Sequence, residues 1–162
     1  MTVRPRVQLS MLALSALMLT LFVFDTPRVA ASPDLNRVIE LTNEHRRAAG
    51  CGDLQWNPAL ATAAQHHADD MAANNYFSHT SRNGASFVKR IRAAGYAYRR
   101  AAENIAAGQT TPDEVVATWM SSPGHRANIL NCRLRHIGIG YSYNSNSDFG
   151  AYWVEDFGTP RR

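Results

Sequence analysis

The sequence predicts an α+β domain in which helices pack on a small antiparallel sheet. Two observations carry that expectation. From residue 32 to the region of the second cysteine, apolar residues recur every three or four positions in four segments, each opened by a helix-start signal. After Cys132 the period drops to two, and two alternating runs follow. No internal repeat, low-complexity tract or linker interrupts this order, and 162 residues suffice for one domain with a real core but not for two ordinary ones.

The amino terminus stands apart. Arg4 and Arg6 precede the apolar run LSMLALSALMLTLFVF, Leu9 to Phe24, and then DTPRVAAS, which places Val29 and Ala31 at the −3 and −1 positions of a cut before Ser32. A basic start, an apolar middle and a small-residue exit form the layout of a secretory signal peptide. Residues 1–31 are therefore expected to be a signal peptide and residues 32–162 one exported domain, secreted or held in the cell envelope with no membrane span after cleavage. The alternative is an uncleaved anchor, since about 16 apolar residues fall only slightly short of a bilayer span.

The formal net charge of +4 falls to about +2 when Arg4, Arg6, Arg28 and Asp25 leave with the leader. The pairs Arg46-Arg47, Lys89-Arg90 and Arg99-Arg100 are dispersed and not interleaved with aromatics. They read as solvated surface, so nucleic acid is not an expected partner. Two cysteines in an exported chain favour a Cys51–Cys132 disulfide, with two buried thiols as the alternative. Neither cysteine has the spacing of a metal site.

SPDLNRVIELTNEHRRAAG predicts a first helix, with Ser32 as cap, Pro33 at the first helical position, Leu35, Val38, Ile39 and Thr42 on one face, and Gly50 as the stop. NPALATAAQHHADDMAANN predicts a second, capped by Asn57 and started by Pro58, with Leu60, Ala64, Ala68 and Met71 inward. Its many alanines predict close packing. SFVKRIRAAG gives a short third helix from Ser86, with Phe87, Val88 and Ile91 inward, stopped by Gly95. TTPDEVVATWM gives a fourth, with Thr111 as cap, Glu114 three residues on in a capping box, and Val115, Val116 and Trp119 buried. HIGIGYSY then sets Ile137, Ile139, Tyr141 and Tyr143 on one side of a strand, and FGAYWVEDFG completes an antiparallel hairpin across the loop NSNSD.

Several familiar catalytic patterns are missing. There is no Gly-x-Ser-x-Gly, His-Glu-x-x-His, phosphate-binding glycine loop or Gly-x-Gly-x-x-Gly. What stands out is His79 in YFSHT, Glu103 in AENIA, Glu114 in the fourth helix and His125 in SSPGHRANIL, all near segment ends. Each alone has a structural explanation: a helix-end charge, a surface acid, a capping box, a helix start. His66-His67 with Asp69-Asp70 are not read as a metal site, because adjacent helical residues diverge by about 100°; a structural hydrogen bond is allowed to His67. Ser78, Ser81, Ser121 and Ser122 lie near the two histidines in sequence, which is weak evidence for a triad assembled in space.

Taken together, WNPALATAAQHHADDMAANNYFSHTSRNG, AAENIAAGQTTPDEVVATWMSSPGHRANILN, RHIGIGY and YWVEDFG, in that order, closely resemble the bacterial branch of the CAP superfamily. That superfamily is named for the cysteine-rich secretory proteins, antigen 5 and the plant pathogenesis-related proteins, and its domain is also called SCP. The resemblance spans about residues 35 to 158. It implies an α-β-α sandwich, a central antiparallel sheet between helical layers, with a groove holding two histidines and two acids that in family members can bind a divalent cation. Carried over by motif, these are His79, Glu103, Glu114 and His125. Ala102 stands where many members have glycine, and the cysteine-rich extension of the animal proteins is absent, so its ion-channel activity is not implied.

Two imidazoles with acidic or water-mediated partners suit a weakly bound borderline cation, Zn²⁺ first. The expected function is a monomeric binding module for a small apolar, lipid-like or glycan-like ligand or an envelope partner, and not an enzyme. The alternative is a metal-assisted hydrolase of peptide or cell-wall substrates.

Overall fold

The structure, a computed structural model, describes residues 32–161. The leader expected over residues 1–31 lies outside them. Helix α1 (Leu35–Ala48) starts later than the sequence suggested. Asp34, not Ser32, is the cap, and its carboxylate accepts the Asn36 amide at 2.9 Å. An acid there satisfies an orphan N–H and also meets the positive end of the helix dipole. After the two-residue strand β1 (Gln55–Trp56), Asn57 caps α2 (Pro58–Asn74) as expected, accepting from the amides of Ala59 and Leu60. There follow α3 (Phe87–Ala93), β2 (Tyr98–Ala107), α4 (Pro112–Ser121), α5 (Pro123–Ile129), β3 (His136–Tyr143) and β4 (Ala151–Pro160).

The strands form one sheet in the order β1-β3-β4-β2. The β3–β4 hairpin and the β2–β4 pair are antiparallel, while β1 runs parallel to β3. The sheet is thus mixed where a purely antiparallel one was expected, because Asn57-Pro58 turns the chain into α2 after only two residues of β1. Alternation along the strands sorts two helical layers. One face sets Ile137, Ile139, Trp153 and Phe157 against Val38 of α1, Val115, Val116 and Trp119 of α4, and Ile129 of α5. The other sets Ile105, Tyr152 and Val154 against Ala64, Ala68 and Met71 of α2. This is the three-layer α-β-α arrangement.

The alanines of α2 have their counterpart in the glycines of β3. A Cβ added at Gly138 would lie 2.1 Å from the Ala61 nitrogen, and one at Gly140 would lie 2.4 Å from the Ala64 carbonyl carbon. The helix backbone therefore rests directly on the strand, a distance that only small residues on both elements permit. The opposite layer is tied down by polar contacts. Arg46 of α1, 1% exposed, gives its guanidinium to the carbonyls of Gly52, Ile129, Asn131 and Leu134, and the Cys51–Cys132 disulfide closes the same corner.

Candidate functional site

Helix α2 ends at Asn75, whose left-handed backbone (φ 48°) turns the chain into the loop that carries His79. Two buried side chains fix that loop. His67 of α2 donates from Nε2 to the Ser78 carbonyl at 2.8 Å, and its Nδ1 lies 3.4 Å from the Ser81 hydroxyl. Burial, with Arg90 adding to it, lowers the pKa of His67, so it serves as a neutral one-donor, one-acceptor strut. Arg90 of α3 donates to the carbonyls of His79 and Ala85, both at 3.0 Å, and to the Ser81 hydroxyl at 3.1 Å.

From there Arg90 reaches strand β2. Its Nη2 donates to Glu103 Oε2 at 2.5 Å, and the other carboxylate oxygen of Glu103 accepts from His79 Nδ1 at 2.8 Å. The Glu103 side chain is 1% exposed and that of His79 is 52% exposed. A buried acid, held by an arginine behind it, thus orients an exposed imidazole in front of it. With Nδ1 committed as a donor, Nε2 of His79 is the nitrogen left to act as acceptor or ligand.

The sheet register places a second acid behind Glu103. Asp156 of β4 is paired with it across the strands, is fully buried, and has no hydrogen bond to either oxygen among the described residues. Burial, reinforced by the charge of Glu103 and opposed by Arg90, holds Asp156 well above the usual carboxylate range. One residue along, on the other face, Glu155 of β4 opposes Asn104 of β2. Glu155 accepts from Thr42 at 2.9 Å and from Asn104 at 3.1 Å, and burial pushes its pKa up to about 8. Asn104 also donates to the His125 carbonyl at 3.2 Å and accepts from Asn128 of α5 at 2.9 Å.

His125 sits in the first turn of α5, half-buried, with Nδ1 buried and unpartnered among the described residues. Burial first, and the nearby His79 second, lower its pKa. Two imidazoles, one from each helical layer, therefore neighbour each other at β2, an edge strand of the sheet.

Glu114 is occupied elsewhere. It is exposed, and its carboxylate accepts from the amides of Thr110 and Thr111 and from the Thr110 hydroxyl, completing the capping box of α4. Those bonds, the Thr110 amide foremost, lower its pKa. Among the described residues no group of three or more His, Cys, Asp and Glu is spaced to hold a metal ion. The donor set suits a divalent cation only as two imidazole nitrogens, one free and one orphaned, because both oxygens of Glu103 are engaged in orienting and charge-balancing. Ser81 bonds His67 and Arg90, Ser121 bonds the Thr118 carbonyl, and among the described residues no serine is hydrogen-bonded to the side chain of His79 or His125.

Sequence reasoning missed Arg90 and Asp156. Nothing marks Arg90 in KRIR, but Glu155-Asp156 in an alternating strand did carry a signal. Adjacent residues of a strand face opposite ways, so a strand covered on both sides must bury at least one of two neighbouring acids.

The comparisons with known proteins agree with this architecture. The cysteine-rich secretory protein family model, CAP, matches residues 39–157. The uncharacterised protein YkwD of Bacillus subtilis is 42% identical over 121 residues, which cover 75% of this chain and 45% of that protein. An extracellular protein containing an SCP domain from Bacillus anthracis superposes with a TM-score of 0.69 at 30% identity, over 76% of this chain and 39% of that one. An outer surface protein of Borrelia burgdorferi superposes at 0.71 and 22% identity, over 78% and 92%, a likeness of fold. The chain spans less than half the length of the Bacillus proteins it matches. With the family model covering most of the domain and the fold shared, this chain belongs to the cysteine-rich secretory protein family.

Proposed function

We propose that this is an extracellular binding module whose groove, walled by His79 and His125 and backed by Glu103, holds a divalent cation weakly, Zn²⁺ by preference, together with a small lipid-like or glycan-like ligand or an envelope partner. The observation that carries it is the chain Arg90–Glu103–His79, which orients one imidazole, with a second nearby whose pKa burial lowers and whose Nδ1 is unpartnered among the described residues. A histidine whose Nδ1–H is held by a carboxylate presents a more basic Nε2 to a cation. A bound cation would polarise an oxygen of the ligand; His79 and His125 would supply nitrogen, and Glu103 would keep His79 in the required tautomer. The outward location is supported by the leader-like segment and by relatives described as an extracellular protein and an outer surface protein. No described helix is long and apolar enough to cross a membrane.

The test is a zinc titration of the purified protein by calorimetry, with melting curves in zinc and in chelator. Zinc is expected to raise Tm by mass action, and a His79→Ala, His125→Ala double variant is expected to lose that response. Affinity is expected to fall on acidification, since both imidazoles must be neutral to bind. Unchanged stoichiometry in the double variant would overturn the site. Histidine-dependent turnover of peptide or cell-wall material would replace the binding reading with the hydrolase.

A further inference from the structure

The end of the sheet where β2 begins carries a second concave site. A cavity of about 360 Å³ opens there, lined by Arg99, Arg135, His136 and Thr159, with Asp53 and Gln55 on its β1 side. All four strands meet at this end: Gln55 is paired with His136, His136 with Gly158, and Tyr98 with Pro160.

Its two arginines form no ion pair among the described residues. Every ion pair among the described residues lies elsewhere, except that Asp53, on the β1 side, is paired with Arg47 at 2.8 Å. Arg99 and Arg135 are both exposed at the cavity and pair with no carboxylate among the described residues; burial first, and Arg135 after it, lower the pKa of Arg46 behind them. Like charges left together without a counter-ion weaken a fold unless a ligand supplies one.

Two structural devices aim the donors. The β2–β4 register slips between Tyr98 and Arg100, so Arg99 is the extra residue of a bulge. A bulge frees one residue from the ladder and re-aims its side chain. Behind His136, the Tyr96 hydroxyl lies 2.8 Å from Nδ1. Burial pushes the Tyr96 pKa up to about 12, so the phenol keeps its proton and can share it with Nδ1. With Nδ1 serving as the acceptor, the ring hydrogen is on Nε2, making that nitrogen a donor. Tyr96 is itself seated on Gly158, where a Cβ would come within 2.3 Å of its ring.

We infer that this cavity binds a phosphoryl group, with Arg99, Arg135 and the Nε2–H of His136 as its donors. Two forked guanidiniums and an imidazole N–H match the several oxygens and the negative charge of a phosphate, whereas a carboxylate would use only one fork. The group can come from a lipid headgroup or from a soluble phosphate diester or monoester, and the chemistry recognised is the same.

The experiment titrates the purified protein with inorganic phosphate at constant ionic strength, following amide resonances. Saturable shifts are expected at Arg99, Arg135 and His136. Arg99→Gln and Arg135→Gln should each weaken binding about tenfold or more, the loss of a charge-assisted hydrogen bond. Lys89→Gln removes the same charge from the exposed face of α3 and should bind as the parent does. Melting curves without phosphate check that the variants fold. Vesicles with phosphatidylglycerol headgroups, against a soluble phosphodiester polymer, separate the two sources: whichever binds in an Arg99-dependent way is the one recognised. Shifts no larger than those given by chloride, or an equal loss in Lys89→Gln, would overturn the inference.

Discussion

Glu103→Gln tests whether the His79 loop is held by charge. The substitution keeps the shape of the side chain and removes the counter-ion of Arg90, whose own side chain is 9% exposed. Breaking a buried ion pair from one side costs about 3–5 kcal/mol. Two features reduce that here. Arg90 keeps its bonds to the carbonyls of His79 and Ala85 and to Ser81, and Asp156 stands ready across the strand. Burial first, and the charge of Glu103 second, hold Asp156 protonated while Arg90 opposes them, so neutralising Glu103 shifts Asp156 toward ionisation and lets it balance part of the charge of Arg90. The net loss is expected to be about 2–3 kcal/mol, a fall in Tm of roughly 10 °C for a domain of this size. Urea unfolding at pH 7, followed by the fluorescence of the buried Trp119 and Trp153, measures it for Glu103→Gln, Asp156→Asn and the double variant. Asp156→Asn alone should lie within about 1 kcal/mol of the parent, since it replaces a neutral group that makes no hydrogen bond among the described residues. The double variant should lose about 1–2 kcal/mol more than the sum. A Glu103→Gln protein within about 0.5 kcal/mol of the parent, or an additive cycle, would refute the reasoning. A loss of binding in Glu103→Gln is therefore to be read only beside its Tm.

Glu155, with its pKa near 8, gives a pH signature. Below about pH 4.5 both folded and unfolded chains are protonated there and its contribution is whole; from there to about pH 8 only the unfolded chain ionises, so stability falls by up to about 1.4 kcal/mol per pH unit. Glu155→Gln should be increasingly favourable relative to the parent across that window, and a pH-independent difference in denaturant midpoints would contradict it. Gly140→Ala should cost about 3 kcal/mol or fail to fold, because its Cβ meets the backbone of α2; a Tm within a few degrees of the parent would show that helix and strand can separate. Glu114→Gln should lower Tm slightly through the capping box while leaving the zinc response intact, and loss of zinc binding would return Glu114 to the groove.

The helices were legible because their caps and apolar faces are local. Asn57-Pro58, Thr111-Pro112 and the run Leu60, Ala64, Ala68, Met71 each match the structure, and so does the antiparallel hairpin of β3 and β4. Strand β2 was not legible. Its sequence, YRRAAENIAA, is rich in helix formers, and what makes it a strand is the length of its ladder to β4, a tertiary contact no window reveals. Missing β2 hid the pairing of Glu103 with Asp156. The motifs singled out His79, Glu103, Glu114 and His125; the structure ties His79 to Glu103 and the His125 carbonyl to Asn104, whereas Glu114 reads from local sequence as a capping residue, and that is where its hydrogen bonds go.

The β2–β4 ladder also explains why the surroundings of His79 and His125 cannot be altered independently of the fold. Glu103 with Asp156, and Asn104 with Glu155, are successive register pairs whose side chains serve opposite helical layers. The first pair holds the α2–α3 layer through Arg90 and orients His79; the second holds α1 through Thr42 and α5 through the His125 carbonyl. A slip of one residue would exchange the two faces and bury each acid among the wrong partners. The register that builds the core is thus the same one that brings an imidazole from each layer to the edge of β2. Side chains behind the groove are bound to stability, and the exposed His79 is the position where binding can be changed with least disturbance to the domain.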